Sequence, residues 1–344
     1  MSSRQPFQIN HHEILPGTRQ TVDIPVSTLS DHTPVHLSVH VIHGTRPGPV
    51  LFVSAAIHGD EVIGVEIVRR LLKADGLDDI AGTLLAVPIV NSFGFLNHSR
   101  YLPDRRDLNR VFPGLSEGSM ASRLAHIFMT EVVQRSDVGI DLHSAAIHRT
   151  NLPQIRLTPD NERLAALGRA FGAPVMMNSK LREGSLRMAA KAAGIDVLLY
   201  EAGESLRFDE LAARAGVSGI LRVMHHLGMI GAENLPEAGA NPVLCRDSRW
   251  YRAPAGGVFR GYLTIGDTVE PGTSLGAVSD PFGEVEAEVL SDSTGIIIGR
   301  TNMPVVYEGD ALFHIAETPR GDAAAEGVSA HLDAAPLYDE DEII

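Results

Sequence analysis

Between about residues 48 and 230, short apolar runs alternate with longer stretches of helical periodicity, and no other feature restricts the possible folds as much. The apolar runs fall at 50–57, 83–90, 138–142, 154–157 and 195–200, and the helical patterns at 61–74, 119–134, 160–171, 185–193 and 208–227. Runs that are apolar at every position belong to strands covered on both faces. The expected class is therefore α/β, a mixed, mostly parallel sheet with helices on both faces. Residues 1–47 would precede it as strands, with alternation clearest in Val35–Ile42, where His36 and His40 share the solvated face.

Two strand ends in this frame carry metal-binding side chains. Pro49–Ile57 hands over to a helical pattern through His58-Gly-Asp-Glu61, and Val138–Leu142 ends in His143. Open α/β sheets bind ligands at the carboxyl ends of their strands, so the placement suits chemistry. His58 and Glu61 alone could do no more than cap a helix. With His143 at the same sheet edge, two imidazoles and a carboxylate make the donor set of a catalytic zinc site, one ion per chain with a fourth position left for water. The single cysteine, Cys245, rules out a thiolate-rich metal site and any intramolecular disulfide, which fits a reducing compartment.

A formal net charge of −14 argues against a nucleic-acid partner. The first residues, Met-Ser-Ser-Arg-Gln-Pro-Phe-Gln, lack the apolar core of a signal peptide, and no apolar stretch approaches the ~20 residues of a membrane span. The expectation is a soluble cytoplasmic protein without a membrane partner. A homo-oligomer, most simply a dimer, is the default assembly.

Between the two histidine-bearing strands, the polar loop Asn97–Gly114 carries Arg100, Arg105, Arg106 and Arg110. It is either a solvated surface loop or a clamp for a carboxylate, which the guanidinium fork binds bidentately, and Asn109 would add an amide donor to such a clamp. The last apolar run, Asp196–Tyr200, leads directly into Glu201. A carboxylate there could cap or pair on the surface, or serve as a general base at the metal-bearing edge.

After a candidate linker at 236–242 the texture changes to short strands separated by glycine turns. The phrases Gly266-Asp-Thr-Val-Glu-Pro-Gly272 and Gly309-Asp-Ala-Leu-Phe-His-Ile315 resemble the turns of biotinyl and lipoyl carrier domains, so residues 241–318 are expected to form a small β-barrel domain. No lysine occurs in 243–317, so biotin or lipoate cannot be attached there by the usual amide, and the module is expected to be structural. Residues 319–344, Ala-, Gly- and Asp-rich and ending Asp-Glu-Asp-Glu-Ile-Ile, are expected to form an acidic, disordered tail.

In this order, His58-Gly-Asp-Glu61, Asp107-Leu-Asn-Arg110, Asp141-Leu-His143 and Glu201-Ala-Gly resemble the succinylglutamate desuccinylase/aspartoacylase family, relatives of the zinc carboxypeptidases. The resemblance covers about residues 48–230, and the β-rich segment after it is similar to that family's C-terminal domain. It implies a hydrolase domain over 1–235 with zinc held by His58, Glu61 and His143, and with Glu201 as the base that activates water. It further implies that Asp107 steadies His58 through the second ring nitrogen, that Asn109 and Arg110 grip a substrate carboxylate, and that Arg100 polarises the scissile carbonyl. The spacing from Arg100 to Asp107 is stretched by an extra Pro-Asp-Arg-Arg segment, so Arg105 or Arg106 could take that last role.

The implied activity is zinc-dependent hydrolysis of the amide of an N-acyl amino acid or a similar small amide bearing a carboxylate. A metallocarboxypeptidase acting on the C-terminal residue of a peptide carboxylate is the alternative, and a non-catalytic metal- or carboxylate-binding protein a third reading. Nothing identifies the acyl group. Arg187 and Lys191, four apart on a helical pattern, read as a solvated helix face rather than a second anion site.

Overall fold

The structure, a computed structural model, describes residues 4–233, 235, 241–318 and 328. The linker expected at 236–242 lies mostly outside these residues, as does the tail expected at 319–344 apart from residue 328. Among the described residues no helix is long and apolar enough to cross a membrane.

One mixed sheet of 13 strands runs through the molecule. Its centre is parallel, in the order Ala81–Val87, Arg46–Ala55, Val138–Ala145 and Asp196–Glu204. Antiparallel strands extend it on both sides. Pro34–His43 and Thr18–Thr28 flank one edge, and Arg149–Leu157 follows Asp196–Glu204 on the other. The expectation of a mostly parallel sheet thus holds only for the centre, because the chain returns by direct antiparallel pairing wherever no crossover helix intervenes.

The strands are covered on both faces. On one side Ile63, Ile67 and Leu71 of helix Ile63–Leu71 pack with Leu198, Phe171 and Ile220 from the sheet and from helices Glu162–Phe171 and Glu210–His226. On the other, Leu124 and Phe128 of helix Met120–Glu131 and Leu186 of helix Leu186–Ala192 pack on Phe52 and Leu85. In Ile63–Leu71 the buried residues recur every three to four positions while Glu66, Arg69 and Arg70 face outward, the amphipathic pattern that seats a helix on a sheet.

The C-terminal strands differ from the expected barrel. Among the described residues no closed barrel forms. Gly295–Thr301 pairs antiparallel with Arg149–Leu157, and Ala311–Glu317 and Ser248–Arg252 add beyond it, so this segment continues the central sheet. A separate four-stranded sheet, Glu286–Leu290, Ser274–Ser279, Gly257–Gly261 and Val305–Val306, packs alongside. The turn Asp280–Gly283, where a carrier domain would hold its lysine, is an exposed connection between two of these strands.

Candidate metal centre and active-site cavity

The turn bearing the first two candidate ligands is shaped by close backbone approach. After Arg46–Ala55, Ala56 takes a left-handed φ of 51° while fully buried, a strained conformation for a residue with a Cβ. Gly59 lies so close to the short helix Ser92–Leu96 that a Cβ would meet the Gly94 carbonyl carbon at 2.0 Å. The Glu61 N–H donates to the His58 carbonyl at 3.1 Å, closing a turn that folds both side chains inward ahead of the helix.

His143, at the end of the neighbouring parallel strand, completes the group. The ligating atoms of His58, Glu61 and His143 lie within 4.8 Å of one another, and all three residues are buried. Nδ1 of His58 is 2.7 Å from Glu61 Oε1, and Nδ1 of His143 is 2.6 Å from Oε2. The opposite ring nitrogens are held by carboxylates, His58 Nε2 by Asp107 at 3.1 Å and His143 Nε2 by Asp141 at 2.8 Å. Asp141 is itself anchored by the Ser54 hydroxyl at 2.8 Å. Histidines whose outer nitrogens donate to carboxylates present the inner ones as lone-pair donors, so these residues fit a divalent metal.

The charges reinforce this geometry. Burial would raise the Glu61 pKa, but the two imidazoles outweigh it and hold the carboxyl well below its usual range. Burial likewise opposes a charge on His58 and His143, yet the carboxylates around each raise their pKa values. Asp107, pushed up by burial, is pulled below its usual range by His58 and Arg100.

The polar loop supplies the next set of residues. Asp107 caps the turn Leu108–Arg110, accepting from the Asn109 N–H at 2.8 Å. Arg100 donates to Asp107 at 2.9 Å and to Glu61 at 3.2 Å, which sets its guanidinium beside the candidate ligands. Arg105 and Arg106 are exposed, and Arg106 pairs with Asp104, so of the three candidates Arg100 alone lines the cavity. Asn109 uses its Oδ1 to accept from the Leu186 N–H at 2.9 Å, and its Nδ2 has no protein acceptor among the described residues. Arg110 lies beside it, exposed and open to the same cavity.

Glu201 is in register with His143 on the adjacent strand. It accepts from Asn151 Nδ2 at 2.9 Å and pairs with Arg156 at 3.3 Å. Glu204 remains in the strand and turns instead to the His148 N–H and Asn302.

Arg187 departs from expectation. Lys191 is exposed, but Arg187 is only 8% exposed and lines the cavity, its guanidinium turned toward Ser179 and Thr158. It donates to the Ser179 carbonyl at 2.9 Å, and burial together with the nearby Arg156 pushes its pKa down to about 10. Arg156 could have been noticed as a charge inside an apolar strand. Trp250, which also lines the cavity, gives no local signal.

The cavity, open to solvent on one side, has a volume of about 290 Å³. A model of the succinylglutamate desuccinylase/aspartoacylase catalytic domain matches residues 47–227, just over half of the chain. The chain belongs to this family. Within it, an N-alpha-acetyl-L-2,4-diaminobutyric acid deacetylase from Halomonas elongata is 27% identical, covering 78% of this chain and 82% of that protein. A succinylglutamate desuccinylase/aspartoacylase from Rhodobacter sphaeroides has a TM-score of 0.77 at 24% identity, over 87% of this chain and 95% of its own. The product-bound ectoine utilization protein EutE (DoeB) from Ruegeria pomeroyi gives 0.76 at 24%, over 88% and 95%. The desuccinylase/aspartoacylase fold is thus shared over most of the chain, and this member, with its metal-binding triad intact, is a hydrolase.

Proposed function

We propose that the chain is a zinc-dependent deacylase that hydrolyses the amide of a small N-acyl amino acid, with zinc held by His58, Glu61 and His143. The observation that carries this reading is the convergence of those three donors and Glu201 on one cavity inside the family's catalytic domain. When bound, zinc supplies a Lewis acid toward water and the scissile carbonyl. Glu201, aimed by Asn151 and Arg156, takes a proton from the attacking water and returns it to the leaving nitrogen as the C–N bond breaks. The products are a carboxylic acid and a free amino acid. Arg100, beside Glu61, stabilises negative charge developing on the carbonyl oxygen. Asn109 Nδ2 and the Arg110 guanidinium receive the substrate carboxylate, and Asp107 and Asp141 keep both imidazoles in the metal-binding tautomer.

Seven arginine and lysine side chains line the cavity against two carboxylates, Glu61 and Glu201, in a chain whose net charge is −14. Such a lining favours an anionic substrate over one with a cationic side chain, whereas the Halomonas relative is named for a substrate carrying an amine. The volume accommodates a small N-acyl amino acid.

The test is amino-acid release by zinc-loaded protein from N-acetyl, N-succinyl and other N-acyl amino acids, beside C-terminally free peptides, with Glu201→Gln as control. Release from acylated substrates, lost in the variant, is the expected result. Cleavage of peptides alone would establish the carboxypeptidase instead.

A further inference from the structure

The C-terminal strands do more than widen the sheet, because one of them reaches back into the catalytic cavity. Trp250, the chain's single tryptophan, sits in Ser248–Arg252 and shares the cavity lining with His58 and Glu201. A row of registered residues leads to it across four strands. Asn151, which donates to Glu201, pairs with Gly299, Gly299 with His314, and His314 with Trp250. At ~4.8 Å per strand the backbone row spans roughly 14 Å, yet Trp250 and Glu201 line the same cavity, so their side chains take up part of that distance. Gly299 keeps its middle low, since a Cβ there would stand 2.7 Å from Asn151 Oδ1.

The indole is held rather than free on the surface. His314 stacks on it at 4.3 Å between ring centroids with the planes 7° apart, and His314 is tied by Nε2 to Ser248 Oγ at 2.9 Å. The Arg149 guanidinium lies over the ring at 5.3 Å. The indole N–H has no acceptor among the described residues, and a fixed aromatic edge with an unspent donor is how a cavity wall meets a ligand. Asn109 and Arg110 belong to a different wall, where Asn109 is bonded to Leu186 and the Arg110 backbone packs on Gly184.

We infer that Trp250 closes the cavity against the acyl end of the substrate and sets how long an acyl chain the site accepts. The inference rests on the deacylase reading, in which the amino-acid carboxylate occupies the Asn109 and Arg110 wall and leaves the acyl group facing the indole.

The experiment compares zinc-loaded wild type, Trp250→Ala and Trp250→Phe on the N-acetyl, N-propionyl, N-butyryl and N-hexanoyl derivatives of one amino acid. It then varies the amino acid at constant acyl group. One methylene too many against a fixed aromatic ring costs about 10-fold or more in kcat/KM. Wild type is expected to fall off steeply with acyl length, Trp250→Ala to flatten that fall by at least about 10-fold, and Trp250→Phe to keep the wild-type order. Glu201→Gln protein, which retains the only tryptophan, is titrated with the N-acetyl amino acid, and a saturable change in indole emission is expected.

An unchanged acyl ranking in Trp250→Ala of wild-type melting temperature and metal content would overturn the inference. So would a change confined to the amino-acid series. Should Trp250→Ala not fold, the emission titration and the Trp250→Phe ranking decide. If wild type turns over no acylated amino acid, the deacylase reading fails. A saturable emission change would then still support contact between Trp250 and the ligand, and a silent indole would overturn it.

Discussion

The two sides of the cavity treat their polar groups in opposite ways. On the metal side His58, Glu61, His143 and Arg100 are all partnered within the protein, with Asp107 and Asp141 behind them. On the sheet side Arg156 and Arg187, both lining the cavity, each keep a buried Nε with no partner. Leaving a buried donor unmade costs about 1–3 kcal/mol. The metal side therefore holds its donors through the protein's own groups, whereas the opposite side carries part of its guanidinium charge with fewer internal partners. The division is not absolute, since Asp60 Oδ1, behind the metal turn, is also buried without a partner.

The largest expected effect tests the proposed base, Glu201, which stands between the two sides. Glu201→Gln preserves shape and the Asn151 contact while removing proton transfer, so kcat should fall ~10²–10⁴-fold. Zinc content, measured by elemental analysis, should stay at wild-type level because Glu201 is outside the donor group. A variant that loses metal along with activity would place Glu201 on the metal side and redraw the comparison.

Next in size is Asp141→Asn. An amide in place of the carboxylate that holds His143 Nε2 at 2.8 Å no longer enforces the metal-binding tautomer. Metal affinity, from competition with a chromogenic chelator, should fall ~10–100-fold. KM measured at saturating zinc should move little, since Asp141 is fully buried behind the ligand and away from substrate.

Arg187→Met probes the other side. The guanidinium is buried without a carboxylate partner, and its loss removes a desolvated charge facing Arg156. KM should rise about 10-fold or more, while the melting temperature stays level or rises, because desolvation and the nearby Arg156 outweigh the attraction of Asp141 and Glu201 for this buried charge. Arg187→Lys should not restore KM, as a single ammonium lacks the planar fork. A drop in melting temperature with unchanged KM would mean that Arg187 serves the fold rather than the ligand.

These two sides were unequally legible in the amino-acid order. His58-Gly-Asp-Glu61 and Asp141-Leu-His143 could be read because one directly follows a strand and the other lies at a strand's end, and a parallel centre brings such ends together automatically. Asn151 and Trp250 are connected through three successive antiparallel pairings, Asn151 with Gly299, Gly299 with His314 and His314 with Trp250, which no local pattern encodes. Arg187 was misleading for a related reason. Its spacing from Lys191 describes one helix face, but contacts made elsewhere in the chain, with Thr158 and Ser179, separate a buried arginine from an exposed lysine. The C-terminal segment was readable as short strands and turns, whereas its pairing to the open edge of Arg149–Leu157 was not.

The smallest effect supplies the calibration that the others need. Glu66, on the outward face of Ile63–Leu71, pairs with Arg69 at 2.6 Å and Arg70 at 2.7 Å, and Arg70 reaches Glu210 of the neighbouring helix at 2.6 Å. This network is far from any cavity residue in function, so it should alter stability and nothing else. Arg69, against the opposing effect of burial, and then Arg70 hold the Glu66 carboxyl at about 2 instead of the ordinary 4.5. A depressed carboxylate stabilises the folded state fully above the ordinary value and loses that contribution as pH falls toward the depressed one. Glu66→Gln should therefore lower stability by about 1 kcal/mol or less at neutral pH, the size of partly exposed pairs. The gap between variant and wild type, followed by denaturant melts, should narrow from pH 4.5 downward and close near 2. Kinetic constants should not change at all. If they do, helix Ile63–Leu71 transmits strain to the His58 turn, and the separation of stability from ligand binding drawn across the cavity would need the helix as a third participant.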